Sequence, residues 1–317
     1  MIWSRVTFGH GLLENLDKRP ALHQQKRKQQ MFVNEQTTQA EIIAKYKTDF
    51  EFAAELITIG SALAAELCAS NQKELSHQAK STVIALLALA LRRLRSILAV
   101  AELGFTENCA ILTRTLFEIL LAARFILHTR RVLAAKLPAI PRGHKAVDFR
   151  ALLYSVRVVL DNRKVGRTAA TTTGLKRVLA SHHLKSSEQS ASECEALIGP
   201  EWTLVLNQHP FTYSGLTIAQ LSKSLGLARL HAATYGPLST KVHACDANSL
   251  IMDANDGQTL INISGGDINQ LSETLQLATS LLFEIVRVYR KYFRLNPSSF
   301  DDFARRFDAC CKKEILA

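Results

Sequence analysis

Ser81–Leu127 reads STVIALLALALRRLRSILAVAELGFTENCAILTRTLFEILLAARFIL, and its punctuation decides the fold. Leucine and alanine dominate the stretch, and both are strong helix formers. The one break is Leu103-Gly104-Phe105, with glycine where a helix can end in the left-handed conformation. Thr106 and Glu107 then supply a capping side chain and early negative charge, which predict the start of the next helix at Thr106. One helix is expected from about Lys73 to Leu103. A second is expected from Thr106 to about Lys136, before Pro138 and Pro141 stop it. Helices this long joined by so short a turn must lie antiparallel. The pattern predicts an all-α fold of long antiparallel helix hairpins in a bundle.

Upstream, Ile42, Ile43, Tyr46, Phe50, Ala53, Ala54, Ile57 and Leu63 recur at spacings of three and four, a single apolar stripe running to about Ser70. Downstream, Val147, Phe149, Leu152, Leu153, Val156, Val159 and Leu160 mark a helix over 145–164. A threonine-rich loop is expected from Gly166 to Gly174, followed by a mixed region broken at Gly199-Pro200 and His209-Pro210. Helical signals return at 217–225 and 227–235, and Gly236-Pro237 reads as a restart, with Pro237 at a first helical position. Asn255-Asp256-Gly257 between two apolar runs predicts a small β-hairpin near 250–263. A long helix over 267–293 and a tail helix complete the chain. The organisation expected is a basic, glutamine-rich arm (1–37), one helical domain (38–295) carrying a basic inserted region at about 138–215, and the tail helix (296–317).

Of 317 residues, 47% are hydrophobic and 21% charged, which excludes wholesale disorder. The start of the chain has no continuous apolar run behind a basic segment, so no signal peptide is expected. The longest uncharged apolar run, Ser81–Leu91, is too short for the roughly 20 residues that cross a bilayer. No membrane association is expected, and the localisation expected is cytoplasmic. Six cysteines (Cys68, Cys109, Cys194, Cys245, Cys310, Cys311) occur without a Cys-x-x-Cys and read as reduced thiols.

The net charge of +11 is concentrated. Arg124–Lys185 holds fourteen Lys and Arg against only Asp148 and Asp161, whereas Val242–Val286 holds six acids and no base. A clustered basic surface is the footprint of an anionic partner. Arg130, Arg131, Arg142, Lys145, Arg163, Lys164, Arg167, Lys176 and Arg177 are the candidate contacts, with RNA first among the polyanions. The alternative is a well-solvated basic surface.

Familiar enzyme signatures are missing: no GxxxxGK[ST], no GxGxxG after a strand, no HExxH and no GxSxG. Asp253-Ala-Asn255-Asp256-Gly257 fails as a calcium loop, because Gln258 stands at the required glycine and Ser264 at the required glutamate. His182, His183 and Cys194 lack paired metal-ligand spacing. No metal and no cofactor is expected.

The second long helix is apolar on nearly every side, which marks a central, buried element. Arg114 and Glu118 nevertheless sit in its middle, one turn apart on one face. A buried lone charge is prohibitive, so the two must pair with each other or with neighbouring polar groups. Such a pair either fixes helix register or serves a cleft as a catalytic or ligand-binding arginine. Tyr235, Ser239 and His243 form a second polar group at i, i+4 and i+8 around the proline-initiated turn.

Gly104, then Arg114-Thr-Leu116-Phe-Glu118, resembles the Gly and Arg-x-Leu-x-Glu pattern of a bacterial helical family known as domain of unknown function number fifty-six seventy-seven. That family's later Tyr-x-x-x-Ser-x-x-x-His pattern matches Tyr235, Ser239 and His243. The resemblance spans roughly residues 40–295. It implies an all-helical fold in which Arg114, Glu118, Ser239 and His243 meet, and it brings no established activity. The threonine-rich basic stretch near 163–190 and the acidic hairpin near 250–263 depart from the pattern.

Two functions are therefore expected as alternatives. One is a HEPN-like, metal-independent endoribonuclease in a toxin or defence role, in which Tyr235, Arg114, Glu118, Ser239 and His243 form the catalytic cluster. The other is a non-catalytic helical scaffold that binds nucleic acid or protein. The Arg-x4–6-His spacing of HEPN ribonucleases, found at Arg177 with His182 or His183 and at Arg5 with His10, carries no argument in a chain this rich in arginine. Homo-oligomerisation is left open.

Overall fold

A computed structural model describes residues 39–70, 75–127, 137–171, 181–208, 213–242, 251–253, 259–261, 270–295 and 299–315. The arm at 1–37 lies outside them. The fold is all-helical. Its helices are α1 (Lys47–Ala69), α2 (His77–Ala101), α3 (Thr106–Leu127), α4 (Ala146–Thr171), α5 (Ser181–Ile198), α6 (Pro200–Gln208), α7 (Ile218–Ser224), α8 (Ala228–Val242), α9 (Leu271–Phe293) and α10 (Phe300–Ile315). Two short segments, β1 (Ile251–Asp253) and β2 (Thr259–Ile261), pair antiparallel with Met252 opposite Leu260.

Helix α3 is the axis of the molecule. It packs against α2, α9, α8 and α4. Leu116, Phe117, Leu120, Leu121 and Phe125 are among its buried residues, so a helix apolar all round is covered all round. The link from α2 is a Schellman turn: Phe105 N–H donates to the Val100 carbonyl at 3.3 Å and Gly104 N–H to the Ala101 carbonyl at 2.9 Å. Gly104 sits at φ 78°, which a residue without Cβ adopts at no cost. Thr106 does not cap α3 as expected. Cys109 N–H bonds to the Phe105 carbonyl, so Phe105 stands at the cap and Thr106 is already helical. The Thr106 hydroxyl is buried and has no hydrogen-bond partner among the described residues.

Three other expectations are corrected. Helix α4 runs on through Gly166 to Thr171, where a loop was expected, because one glycine costs a helix only about 1 kcal/mol and no proline follows. The mixed region contains α5 and α6, separated by Gly199 at φ 81° with Pro200 opening the next helix. Their signal is faint because few side chains are buried there, among them Ala191, Ile198, Trp202 and Leu206. Helix α8 does not restart at Gly236-Pro237 but passes through it. Packing along α3 offsets the backbone bond that proline cannot make.

Around the axis, α1 approaches α2 closely at Gly60, where a Cβ would lie 2.6 Å from Leu91 Cδ2. Helix α1 is long and apolar enough, by length and composition, to cross a membrane; here it packs on α2, α9 and α10. The tail helix α10 also docks on the core. Phe303 and Phe307 enter between Phe52 of α1 and Phe283 of α9, with ring centroids 5.6 to 5.9 Å apart.

Candidate functional site

Arg114 projects from the middle of α3 toward α8. That helix is placed by the chain just before it. Thr217 and Gln220 form a capping box that starts α7. A second Schellman turn, with Gly226 at φ 73°, ends it and launches α8 alongside α3.

Arg114 Nη2 donates to the Tyr235 hydroxyl at 2.6 Å. The guanidinium carbon also lies 4.5 Å from the Tyr235 ring centroid, within cation–π range. Arg114 Nε comes within 3.4 Å of Glu118 Oε1, and this buried nitrogen makes no hydrogen bond. The pair is not buried as a unit, contrary to expectation. The Arg114 side chain is 17% exposed and that of Glu118 43%, because a carboxylate at the rim of the α3 contact keeps its hydration while the guanidinium exchanges water for a phenol and a ring face.

Glu118 acts on the other side as well. Burial raises the Tyr154 and Tyr213 phenols above their usual range, and the Glu118 charge adds to both shifts. The two rings stand 5.2 Å apart, and Tyr213 packs against Phe125 at 5.4 Å.

The feature that sequence reasoning missed is His231. It lies one turn before Tyr235 on α8, and their rings stack with centroids 5.3 Å apart and planes 16° from parallel. Phe117 of α3 stands 6.1 Å from each. The signal was available, since His231, Tyr235 and Ser239 repeat at i, i+4 and i+8.

The structure thus brings Arg114, Glu118 and Tyr235 together. Ser239 is placed on α8, one turn beyond Tyr235, with its side chain not described, and His243 lies outside the described residues. Among the basic candidates, Arg142 and Lys145 are exposed just before α4. Arg163, Lys164 and Arg167 are on α4, without described side chains; Arg130, Arg131, Lys176 and Arg177 fall outside the described residues. Two other arginines of the basic stretch are used internally. Arg124 bonds Glu284 at 2.9 Å and the Leu225 carbonyl at 3.3 Å. Arg157 is buried, pairs with Asp161 through Nε at 3.0 Å and donates to the Leu206 carbonyl. Among the described residues no group of three His, Cys, Asp or Glu is placed to hold a metal.

Residues 80–259 match the family described as "Family of unknown function (DUF5677)". The chain belongs to this family. No curated protein and no solved structure matches it. The family match takes in α3 and α8, hence Arg114, Glu118, His231, Tyr235 and Ser239, and its range also includes position 243. It also takes in the threonine-rich stretch, and it ends at the start of β2.

Proposed function

We propose that the protein is a HEPN-like, metal-independent endoribonuclease with a toxin or defence role, acting in the cytoplasm. The observation that carries this reading is the Arg114–Tyr235 hydrogen bond at 2.6 Å, which fixes a mostly buried guanidinium. A guanidinium held this way suits the charge that builds on a phosphate during attack by a ribose 2′-hydroxyl. Glu118 and Tyr235 would orient Arg114. Ser239 on α8 would join them, with His243 as a proton-transfer group. Arg142 and Lys145, with the basic residues of α4 and its flanks, would hold the RNA backbone. In the fold that goes with this reading, the long helices form antiparallel hairpins in a bundle and 250–263 forms a β-hairpin.

The test is incubation of the purified protein with total RNA in EDTA. Cleavage that disappears in Arg114→Ala and His243→Ala supports the proposal; no cleavage by wild type removes it. The second reading, a non-catalytic scaffold that binds nucleic acid or protein, draws on Arg124 and Arg157, whose charges serve intramolecular pairs. It requires Arg114→Ala to cost stability and no activity.

A further inference from the structure

We infer that Glu118, Tyr154 and Tyr213 form a recognition site for one base, guanine. The inference deepens the ribonuclease reading, which supplies RNA as the source of the base; a free guanine nucleotide is the other source of the same chemistry.

The three residues come together through the direction of α4. Asp148 accepts from the Ser76 N–H, and Ser155 Oγ lies 3.3 Å from Thr82 Oγ1, so α4 runs parallel to α2 and antiparallel to α3. Its Arg150 stands over the Phe125 ring at 5.9 Å. Tyr154, one turn further along α4, is therefore carried one turn toward Glu118, which shares a face of α3 with Phe125 two turns away. Tyr213 fills the corner, its ring 5.4 Å from Phe125 and 5.2 Å from Tyr154.

Each polar group there has bonding capacity to spare. Neither phenol makes a hydrogen bond among the described residues. The buried polar atoms without a partner belong instead to Arg93, Thr106, Arg114 and Arg124, so both phenolic hydroxyls open on solvent. The Glu118 side chain is 43% exposed, and its Oε1 meets Arg114 Nε at 3.4 Å, too long for a strong hydrogen bond. Lone pairs of the carboxylate remain to be used. Burial raises both phenols above their usual range and the Glu118 charge adds to both shifts, so each holds its proton and serves as a donor.

This set of groups selects one base edge. Guanine presents two adjacent donors, N1–H and the N2 amino group, next to the acceptor O6. A carboxylate accepts from both donors, and a phenol donates to O6. Adenine, cytosine and uracil each place an acceptor beside the donor, where it meets the second carboxylate oxygen. A guanine held by Glu118 lies next to Arg114, the residue that the ribonuclease reading assigns to the phosphate.

Binding of 2′-O-methyl oligonucleotides, which cannot be cleaved, tests the site by fluorescence anisotropy, with the four nucleoside 5′-monophosphates as competitors. An oligoadenylate carrying one central guanine should bind about 10-fold tighter or more than oligoadenylate alone. Glu118→Gln, which replaces one acceptor by a donor, should erase that preference. The double variant Tyr154→Phe, Tyr213→Phe should lower it about 5-fold at an unchanged melting temperature, because the hydroxyls removed bond nothing in the protein. Equal binding of the four bases, or a preference that neither variant changes, overturns the guanine site and leaves the ribonuclease reading to its cleavage assay. A guanine preference without cleavage by wild type keeps the site and removes that reading. Competition by guanosine monophosphate alone, with no preference among the oligonucleotides, assigns the site to a free nucleotide.

Discussion

The Tyr235 hydroxyl accepts a 2.6 Å hydrogen bond from Arg114, a residue 121 positions earlier in the chain. This contact ties the central helix to α8, and it fixes what each partner's removal should do. Arg114→Ala leaves a partly buried phenol and a solvated carboxylate, neither a stranded internal charge. We expect a cost of about 1–2 kcal/mol, read by urea denaturation, with RNA cleavage abolished. A loss of several kcal/mol with no activity to lose would favour the scaffold.

Alkali should weaken the fold. Burial pushes the Cys109 thiol up to about 12 and raises the Tyr289, Tyr213 and Tyr154 phenols. Each raised group holds its proton more tightly when folded. Its contribution is therefore complete below the unfolded value and is lost as pH rises toward the folded one. Stability should begin to fall near pH 9, by up to about 1.4 kcal/mol per pH unit for the thiol alone. Urea midpoints from pH 7 to 10.5 measure the fall, which should be shallower in Cys109→Ala.

Tyr289 offers a test of packing with a single atom. Its hydroxyl is buried and donates to the Val83 carbonyl of α2 at 2.7 Å. Tyr289→Phe should cost about 1 kcal/mol by removing one buried hydrogen bond, while the Val83 carbonyl keeps its bond within the α2 ladder, without a change in cleavage rate.

Gly60 should resist enlargement. A Cβ there meets Leu91 Cδ2 at 2.6 Å and Val286 Cγ2 at 3.4 Å. Gly60→Ala gains about 1 kcal/mol of helix propensity and loses about 1–3 kcal/mol to overpacking. A lowered melting temperature is expected; a raised one would show that the Leu91 side chain can give way at little cost.

The basic stretch should divide by function. Neutralising Arg142, Lys145, Arg163, Lys164 and Arg167 together should flatten the dependence of RNA binding on salt, by about 0.7 in log–log slope for each phosphate that the protein no longer neutralises. Arg157→Gln should instead lower stability, because this buried guanidinium is held by Asp161 and the Leu206 carbonyl. Filter binding at several salt concentrations, paired with thermal melts, tells the two classes apart.

What the sequence determined on its own was local. Gly104 between two leucine- and alanine-rich runs specifies where α2 ends and α3 begins, since only glycine takes the left-handed turn freely. The apolar surface of α3 specifies a central helix, and helical spacing sets Arg114 one turn before Glu118 and Tyr235 one turn before Ser239. Weakly amphipathic α5 and the passage of α8 through Pro237 were not legible, because their stability comes from what they pack against.

The neighbours that polar groups find on other helices were decided by tertiary structure. Helical spacing put Arg114 next to Glu118, but only the packing of α8 on α3 could bring the Tyr235 hydroxyl to Arg114 and lay the His231 ring on Tyr235. Contacts of α3 with α9 and of α4 with α6 likewise drew Arg124 and Arg157 out of the basic surface that sequence counting assigned to them. Charge along a chain is fixed by covalent order, whereas its partner and its hydration are fixed by which faces of distant helices the hydrophobic core forces together.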